Sequence, residues 1–309
     1  MTRSDTHVAV LHGGWSAERE VSLDTGKGCA KALKNAGYTV TLIDADHRIA
    51  SVLEELRPAV AFNALHGRWG EDGCVQGILE CLEIPYTHSG VLASALAMDK
   101  NQAKVVFRAA GLPVADSKVV TRAQAAMGHP MATPYVIKPV NEGSSVGVYI
   151  IEEEASQLLE RALSDGGSPE DRLMVERYVA GRELTCAVMG DVALGVIDIL
   201  PATEFYDYKA KYAPGGSRHV LPAEIPEEVY RRVQHLALKA HKALGCRGVT
   251  RSDFRYDDRP SGTGELVILE TNTQPGMTAT SLVPEIAAHA GHSFEDLVSW
   301  MVEDASCGR

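Results

Sequence analysis

The sequence predicts a mixed fold, α/β at its start and α+β beyond it, spread over two or three domains. Three observations carry that prediction. At 309 residues the chain is longer than one hydrophobic core usually spans. Its first ~95 residues alternate short apolar runs with helical patterns, the signature of β-α-β units around a small parallel sheet with helices on both faces. From about Met98 the texture turns to short strands with turn-rich connections, as in antiparallel α+β domains.

In the first block the apolar runs at 8–11, 40–43 and 60–64 read as strands, and 23–34 and 51–56 as helices, the former stopped near Gly37. Ligands of such sheets sit at the carboxyl ends of the strands. Those ends carry His12-Gly13-Gly14 and Leu65-His66-Gly67. The second block predicts strands at 119–120, 135–138, 146–151 and 173–178, and a helix over 155–163. A strand at 184–189 turns at Gly190-Asp191 into another at 192–200. Pro226-Glu227-Glu228 opens a helix with proline at the first position and acids in the first turn. Val233, Leu236, Ala237, Ala240 and Leu244 keep helical spacing until Gly245 ends it. Ser293 and Asp296 have capping-box spacing for a last helix reaching Met301. The blocks divide the chain at 1–97, 98–183 and 184–309.

The composition, 45% hydrophobic and 23% charged, is that of a globular protein. A formal net charge of −11 argues against non-specific binding of nucleic acid or anionic membranes. Six scattered cysteines form no C-x-x-C pair and no zinc spacing, so reduced thiols are expected. The run at 8–11 is too short for a secretion signal, and no apolar stretch approaches a membrane span. A cytoplasmic location is expected.

The strongest chemical signal lies near the C-terminus. Arg251, Asp253, Glu270 and Asn272 flank a turn-rich segment that includes Asp257, Pro260, Ser261, Gly262 and Gly264. A hairpin folded about Ser261 and Gly262 sets Asp253 opposite Glu270 and Arg251 opposite Asn272, all four on one face. Two carboxylates, an amide oxygen and a guanidinium so placed suit Mg²⁺ ions carrying nucleotide phosphates. The alternative is a charged hairpin on a solvated face, weakened by the apolar run Leu266-Val267-Ile268-Leu269. A second signal is the 135–138 strand, which delivers Lys138 ahead of Gly143-Ser144-Ser145-Val146-Gly147. Such a loop cradles phosphates, or is a plain surface turn. Glu176 ends a strand whose backbone suits adenine, with Glu183 beyond it. Glu18, after the first strand, is either a ligand for an ammonium or an acidic helix start. His66 sits at a strand's carboxyl end in a glycine-rich loop. The aromatic segment 205–212, before Pro214-Gly215-Gly216, reads as a loop able to close over a site.

The order of these signals is not generic. Lys100 after Met98-Asp99, Lys138, the 143–147 loop, Glu176, Glu183, Asp253, Glu270 and Asn272 together resemble an ATP-grasp enzyme. Residues 13–22, Leu65-His66-Gly67-Arg68, 206–212 and Gly276-Met277-Thr278 narrow the resemblance to the D-alanine–D-alanine ligase family, over nearly the whole chain. The resemblance implies three domains with ATP between the central and C-terminal ones. It implies D-alanyl phosphate formed from ATP and a first D-alanine, then attack by the amine of a second, for peptidoglycan precursor synthesis. Lys100, Lys138 and Lys211 would hold nucleotide phosphates, with Ser144 and Ser145 closing over them. Glu176, the backbone around Arg177 and Val179, and Glu183 would hold adenine and ribose. Asp253, Glu270 and Asn272 would ligate two Mg²⁺, with Mn²⁺ as a substitute. Arg251 would stabilise the oxyanion, and Glu18 would bind the first ammonium with His66 near its carboxylate. Ser281 and the Leu282 amide would take the second carboxylate, and Tyr212 would couple Glu18 to Ser144. A homodimer is implied as well.

Trp15 and Trp69 stand where smaller residues are common in the family, Arg177 replaces a frequent lysine, and Gln274 a small polar residue. Three rivals stand beside this reading. One is a ligase joining D-alanine to D-lactate, against which Tyr212 counts. Another is an ATP-grasp ligase for a different amino acid. The third is a nucleotide-binding regulator without catalysis, against which Asp253, Glu270 and Asn272 count.

Overall fold

A computed structural model of the chain describes residues 2–143, 146–153, 157–164, 166–201 and 216–309. Three sheets organise it. Strands β1 (His7–Gly13), β2 (Thr39–Ala45) and β3 (Val60–Asn63) form a parallel sheet in the order β2-β1-β3. Alternation along β1 sends Val8 and Val10 to one face and Ala9 and Leu11 to the other, and all four are fully buried. The first face packs on α1 (Arg19–Asn35) and on the C-terminal helices α9 (Leu282–His289) and α10 (Phe294–Asp304). The second packs on α2 (Ile49–Leu56) and α3 (Cys74–Cys81).

An antiparallel sheet follows, with β4 (Ser117–Thr121), β5 (Tyr135–Pro139), β6 (Tyr149–Ile151) and β7 (Arg172–Arg177) in the order β4-β7-β5-β6. One face is covered by α6 (Arg122–Ala125) and α7 (Leu158–Ser164). The third sheet is antiparallel: β8 (Arg182–Met189), β9 (Val192–Pro201), β10 (Ser217–Val220), β11 (Val249–Tyr256) and β12 (Leu266–Asn272), in the order β10-β9-β8-β11-β12. One of its faces packs on α4 (Val91–Met98), α5 (Lys100–Ala109) and α8 (Glu227–Leu244) around Phe107, Val233, Phe254 and Ile268, and the other meets α9 through Ala187, Ile197 and Val249.

The expected elements recur with shifted ends. Gly190 and Asp191 do join β8 to β9, whose Met189 and Val192 pair directly. Helix α8 begins one residue later than expected, because Pro226 keeps an extended ψ of 137° and serves as its N-cap. Gly245 ends it at φ +72°, a conformation cheap only without a Cβ. Ser293 and Asp296 close the predicted capping box. The strand expected at 146–151 is confined to Tyr149–Ile151, since Val146 and Gly147 form a turn. Helices α3, α4, α5, α6 and α9 and strand β10 were not anticipated. Helix α4 is apolar throughout apart from Ser94, so it carries no two-faced periodicity to read. Helix α5 did carry a start signal, because Asp99 accepts hydrogen bonds from the Asn101 and Gln102 amides, each at 3.0 Å.

The hairpin register is as expected at the chemical residues. Arg251 pairs with Asn272 and Asp253 with Glu270. Beyond them the register shifts, and Phe254 pairs with Ile268, so Leu269 is the extra residue of a β-bulge. A regular hairpin would have set Leu269 opposite Phe254.

Two buried histidines flank β11. His241 Nδ1 contacts Thr250 Oγ1 at 2.8 Å, and His88 lies against the Val249 carbonyl. Burial lowers His241 from 6.5 to about 4 and His88 to about 3. In the unfolded chain both take up a proton near pH 6.5, as free imidazoles do. Between about pH 6.5 and about pH 4 the unfolded state therefore binds more protons. Stability should fall with pH across that window, by up to about 1.4 kcal/mol per unit for each ring. Urea unfolding at several pH values should show the loss, and His241→Gln should make it shallower. A flat profile would contradict neutral buried rings.

Candidate active site

The β11–β12 pairing sets the floor of the site. Directly opposed residues bring Asp253 and Glu270 together on the face opposite Phe254 and α8, with Arg251 and Asn272 beside them. The Arg251 guanidinium grips Asp253 through Nε at 2.9 Å and Nη2 at 2.8 Å. Asn272 turns its amide nitrogen to Asp253 Oδ2 at 3.2 Å, which leaves its oxygen as the atom to offer a cation. Lys100, the first residue of α5, reaches Glu270 Oε2 at 3.5 Å and donates to the Glu142 carbonyl at 2.6 Å. One ammonium thus ties a helix start, the loop before Gly143 and the acidic strand to one point. No three His, Cys, Asp or Glu side chains converge as a metal cluster among the described residues. The donor set is two carboxylates and an amide oxygen, all hard ligands suited to Mg²⁺.

A cleft of about 320 Å³ opens between the second and third sheets. Lys100, Lys138, Glu142 and Gly143 line one end, with Asp253 and Glu270. Val136, Val148, Ile150, Val179, Leu200 and Leu269 supply apolar walls, and Glu183 and Arg255 also line it. Beneath it, Glu176 holds Lys104 Nζ at 3.1 Å and Lys138 Nζ at 3.0 Å. Burial pushes the Glu176 carboxyl up, but the charges of Lys138 and Lys104 outweigh it and keep it below the usual range. Burial lowers Lys104, with Glu176 offsetting only part of it. At Lys138 burial is outweighed by Glu176 and Glu270, and the pKa rises. Arg177 lines the cleft, and its Nη2 is held by Glu265 Oε1 at 2.6 Å. The Val179 carbonyl accepts from Arg255 Nε at 2.9 Å, and Arg255 Nη1 lies 3.5 Å from Glu183.

A smaller chamber of about 80 Å³ abuts the cleft and shares Gly143, Glu183, Asp253 and Glu270 with it. Glu18, His66, Arg251, Gln274, Gly276, Ser281 and Leu282 complete its wall. Glu18 precedes α1, its amide donating to Ser16 Oγ at 3.1 Å, while Ser16 donates to the His66 carbonyl at 2.7 Å. Its carboxylate approaches Gly143 so closely that a Cβ there would lie 2.9 Å from Oε1. His66 is buried, with Nε2 on Thr25 at 2.9 Å and Nδ1 on Glu71 at 3.1 Å. Both ring nitrogens have protein partners, so His66 meets a substrate carboxylate only by exchanging one. Ser281 is the N-cap of α9, and its Oγ accepts from the Thr278 amide at 2.9 Å. Leu282 begins that helix, where backbone N–H groups lack intrahelical partners.

The structure therefore gathers Glu18, His66, Lys100, Lys138, Glu176, Arg177, Val179, Glu183, Arg251, Asp253, Glu270, Asn272, Ser281 and Leu282 around two adjoining spaces. Ser144, Ser145, Lys211 and Tyr212 lie outside the described residues. Sequence reasoning missed Lys104, Arg255, Thr25 and Glu71. Lys104 had a signal: it follows Lys100 by four positions and so shares its helix face. Thr25 and Glu71 had none.

Known proteins share this architecture. Residues 106–303 match the family model described as the D-ala D-ala ligase C-terminus, and 48–89 that of the D-ala D-ala ligase N-terminus. A D-alanine–D-alanine ligase of Parvibaculum lavamentivorans is 64% identical over 303 residues, covering 98% of each chain. A D-alanine–D-alanine ligase B of Mesorhizobium japonicum is 64% identical over 304 residues, covering 98% of this chain and 99% of its own. Among solved structures, the D-alanine–D-alanine ligase of Bacillus anthracis complexed with ATP matches with a TM-score of 0.78 at 33% identity, covering 97% of this chain and 96% of its own. A second crystal structure of that ligase matches at 0.80 and 32%, covering 97% of each.

Proposed function

This chain belongs to the D-alanine–D-alanine ligase family, and on that footing we propose that it joins its substrates across the boundary between cleft and chamber. The reaction is ATP-dependent ligation of two D-alanine molecules to D-alanyl-D-alanine, for peptidoglycan precursor synthesis. ATP is a substrate. The observation that carries the division of labour is the shared wall: Gly143, Glu183, Asp253 and Glu270 border both spaces.

ATP occupies the cleft, its phosphates against Lys100 and Lys138 and its base along the strand edge at Glu176, Arg177 and Val179, with Glu183 at the ribose. The first D-alanine lies in the chamber, its ammonium on Glu18 and its carboxylate turned past His66 toward the shared wall. Its carboxylate oxygen takes the γ-phosphoryl group, releasing ADP. The amine of the second D-alanine then attacks the acyl carbon. A C–N bond forms, the C–O bond to phosphate breaks, and Arg251 holds the intervening oxyanion. Ser281 and the Leu282 amide hold the second carboxylate, which the α9 N-terminus favours. Asp253, Glu270 and Asn272 would hold two Mg²⁺, or Mn²⁺, which when bound neutralise phosphate charge. By the family resemblance, Ser144, Ser145 and Lys211 would serve the nucleotide and Tyr212 would couple Glu18 to Ser144, which keeps water from the acyl phosphate.

The domains are 1–97, 98–183 and 184–309, with α4 and α5 lending apolar side chains to the core of the last. The net charge of −11 supports small-molecule substrates rather than nucleic acid as partners. Among the described residues no helix is long and apolar enough to cross a membrane. A cytoplasmic homodimer is what the family resemblance implies.

Mixing ATP, Mg²⁺ and D-alanine should release ADP and yield the dipeptide, whereas L-alanine should not. Preferential ester formation with D-lactate as second substrate would sink the dipeptide reading. Glu270→Gln should lower D-alanine-dependent ADP release by about 100-fold or more, and retained turnover would refute its role as a metal ligand. Gly276→Ala places a methyl carbon 2.8 Å from Ser281 Oγ. It should raise KM for the second D-alanine about tenfold and leave KM for ATP unchanged, a split that reports ground-state binding at one subsite.

A further inference from the structure

Lys104 is fully buried on α5, outside both spaces, and the reaction just described makes no use of it. A buried ammonium persists only with a counter-charge. That counter-charge is Glu176, whose two oxygens meet Lys104 at 3.1 Å and Lys138 at 3.0 Å. One acid is thus shared by two lysines from different elements, α5 and β5, and of the two only Lys138 borders the cleft. Arg108 adds positive charge near Lys104, and Glu270 and Glu183 add negative charge near Lys138. With Lys138 alone, Glu176 would be left uncompensated whenever Lys138 turned toward a phosphate. With Lys104 in place, Glu176 stays neutralised while Lys138 moves.

We infer that Lys104 is a positioning residue of the nucleotide site: by holding Glu176 it releases Lys138 to the phosphates of ATP. The inference rests on the reading that Lys138 meets those phosphates, and on the geometry of one carboxylate between two ammonium groups. Lys104 touches no substrate in this scheme.

Calorimetric binding of ATP with Mg²⁺, together with KM for ATP and for D-alanine, tests it in K104M, E176Q, K104M/E176Q and K138M. K104M should weaken ATP binding about tenfold and leave KM for D-alanine within about twofold, since contacting charges couple on that scale. In the E176Q background K104M should cost no further ATP affinity, K104M/E176Q staying within about twofold of E176Q, because no buried carboxylate is then left for Lys104 to hold. A merely structural role would lower melting temperature without that split or that dependence on Glu176. Unchanged ATP affinity in folded K104M, beside a loss in K138M, would overturn the inference. So would an about tenfold further loss of ATP affinity on going from E176Q to K104M/E176Q. Unchanged affinity in K138M would instead overturn the placement of the phosphates. Should K104M fail to fold, K104M/E176Q beside E176Q decides: affinities within about twofold of each other support the inference, and an about tenfold gap overturns it.

Discussion

Two carboxylates on directly opposed positions of adjacent strands repel each other, and the site is arranged around that repulsion. Asp253 and Glu270 face one another across β11 and β12, at the junction of cleft and chamber. Like charges in such positions destabilise a sheet unless cations intervene. Arg251 answers Asp253 from its own strand, and Lys100 answers Glu270 from the start of α5. That demand explains why α5 begins where it does. Asp99 caps the helix, and the residue after the cap carries its ammonium to Glu270 and to the carbonyl of Glu142.

The same logic extends outward. Around the cleft, Arg255 lies against Glu183, Arg182 spans Asp198 and Asp258, and Glu176 is held by two lysines. Burial raises the Asp198 carboxyl despite Arg182, so the balance there is less complete. A polyphosphate entering such a cleft does not need cations brought from solvent. It needs those already present to redistribute from carboxylates to phosphates, with little movement of the backbone. Preorganised charge of this kind avoids much of the reorganisation that water would require.

How much of this was legible in the sequence follows from the physics of each signal. Strand spacing placed Arg251, Asp253, Glu270 and Asn272 on one face, and the register agrees at all four. Local rules also found the α8 stop at Gly245 and the cap at Ser293. They did not find α4, because an apolar helix has no polar face to set its period. They did not find the His66 partners either, since Thr25 and Glu71 come from separate segments joined only by tertiary packing. Nor did they show that Glu176 would be shared by two lysines. That depends on α5 bringing Lys104 to the carboxylate that Lys138 of β5 also meets, which no local pattern encodes. Family resemblance supplied roles for such residues, but not their contacts.

The bulge at Leu269 has a meaning that extends past its own hydrogen bonds. In an unbroken strand Ile268 and Glu270 would project on the same side, and Ile268 is buried among the helices. One additional residue reverses the parity, so the strand changes allegiance midway: its first half belongs to the hydrophobic interior and its second to the reaction. Leu269, at the crossover, borders the nucleotide cleft together with its neighbour Glu270. Variation in this strand is therefore constrained by count more than by kind. Exchanging one aliphatic side chain for another repacks a local volume, whereas an insertion or deletion of a single codon would trade the chemistry of the strand for its core.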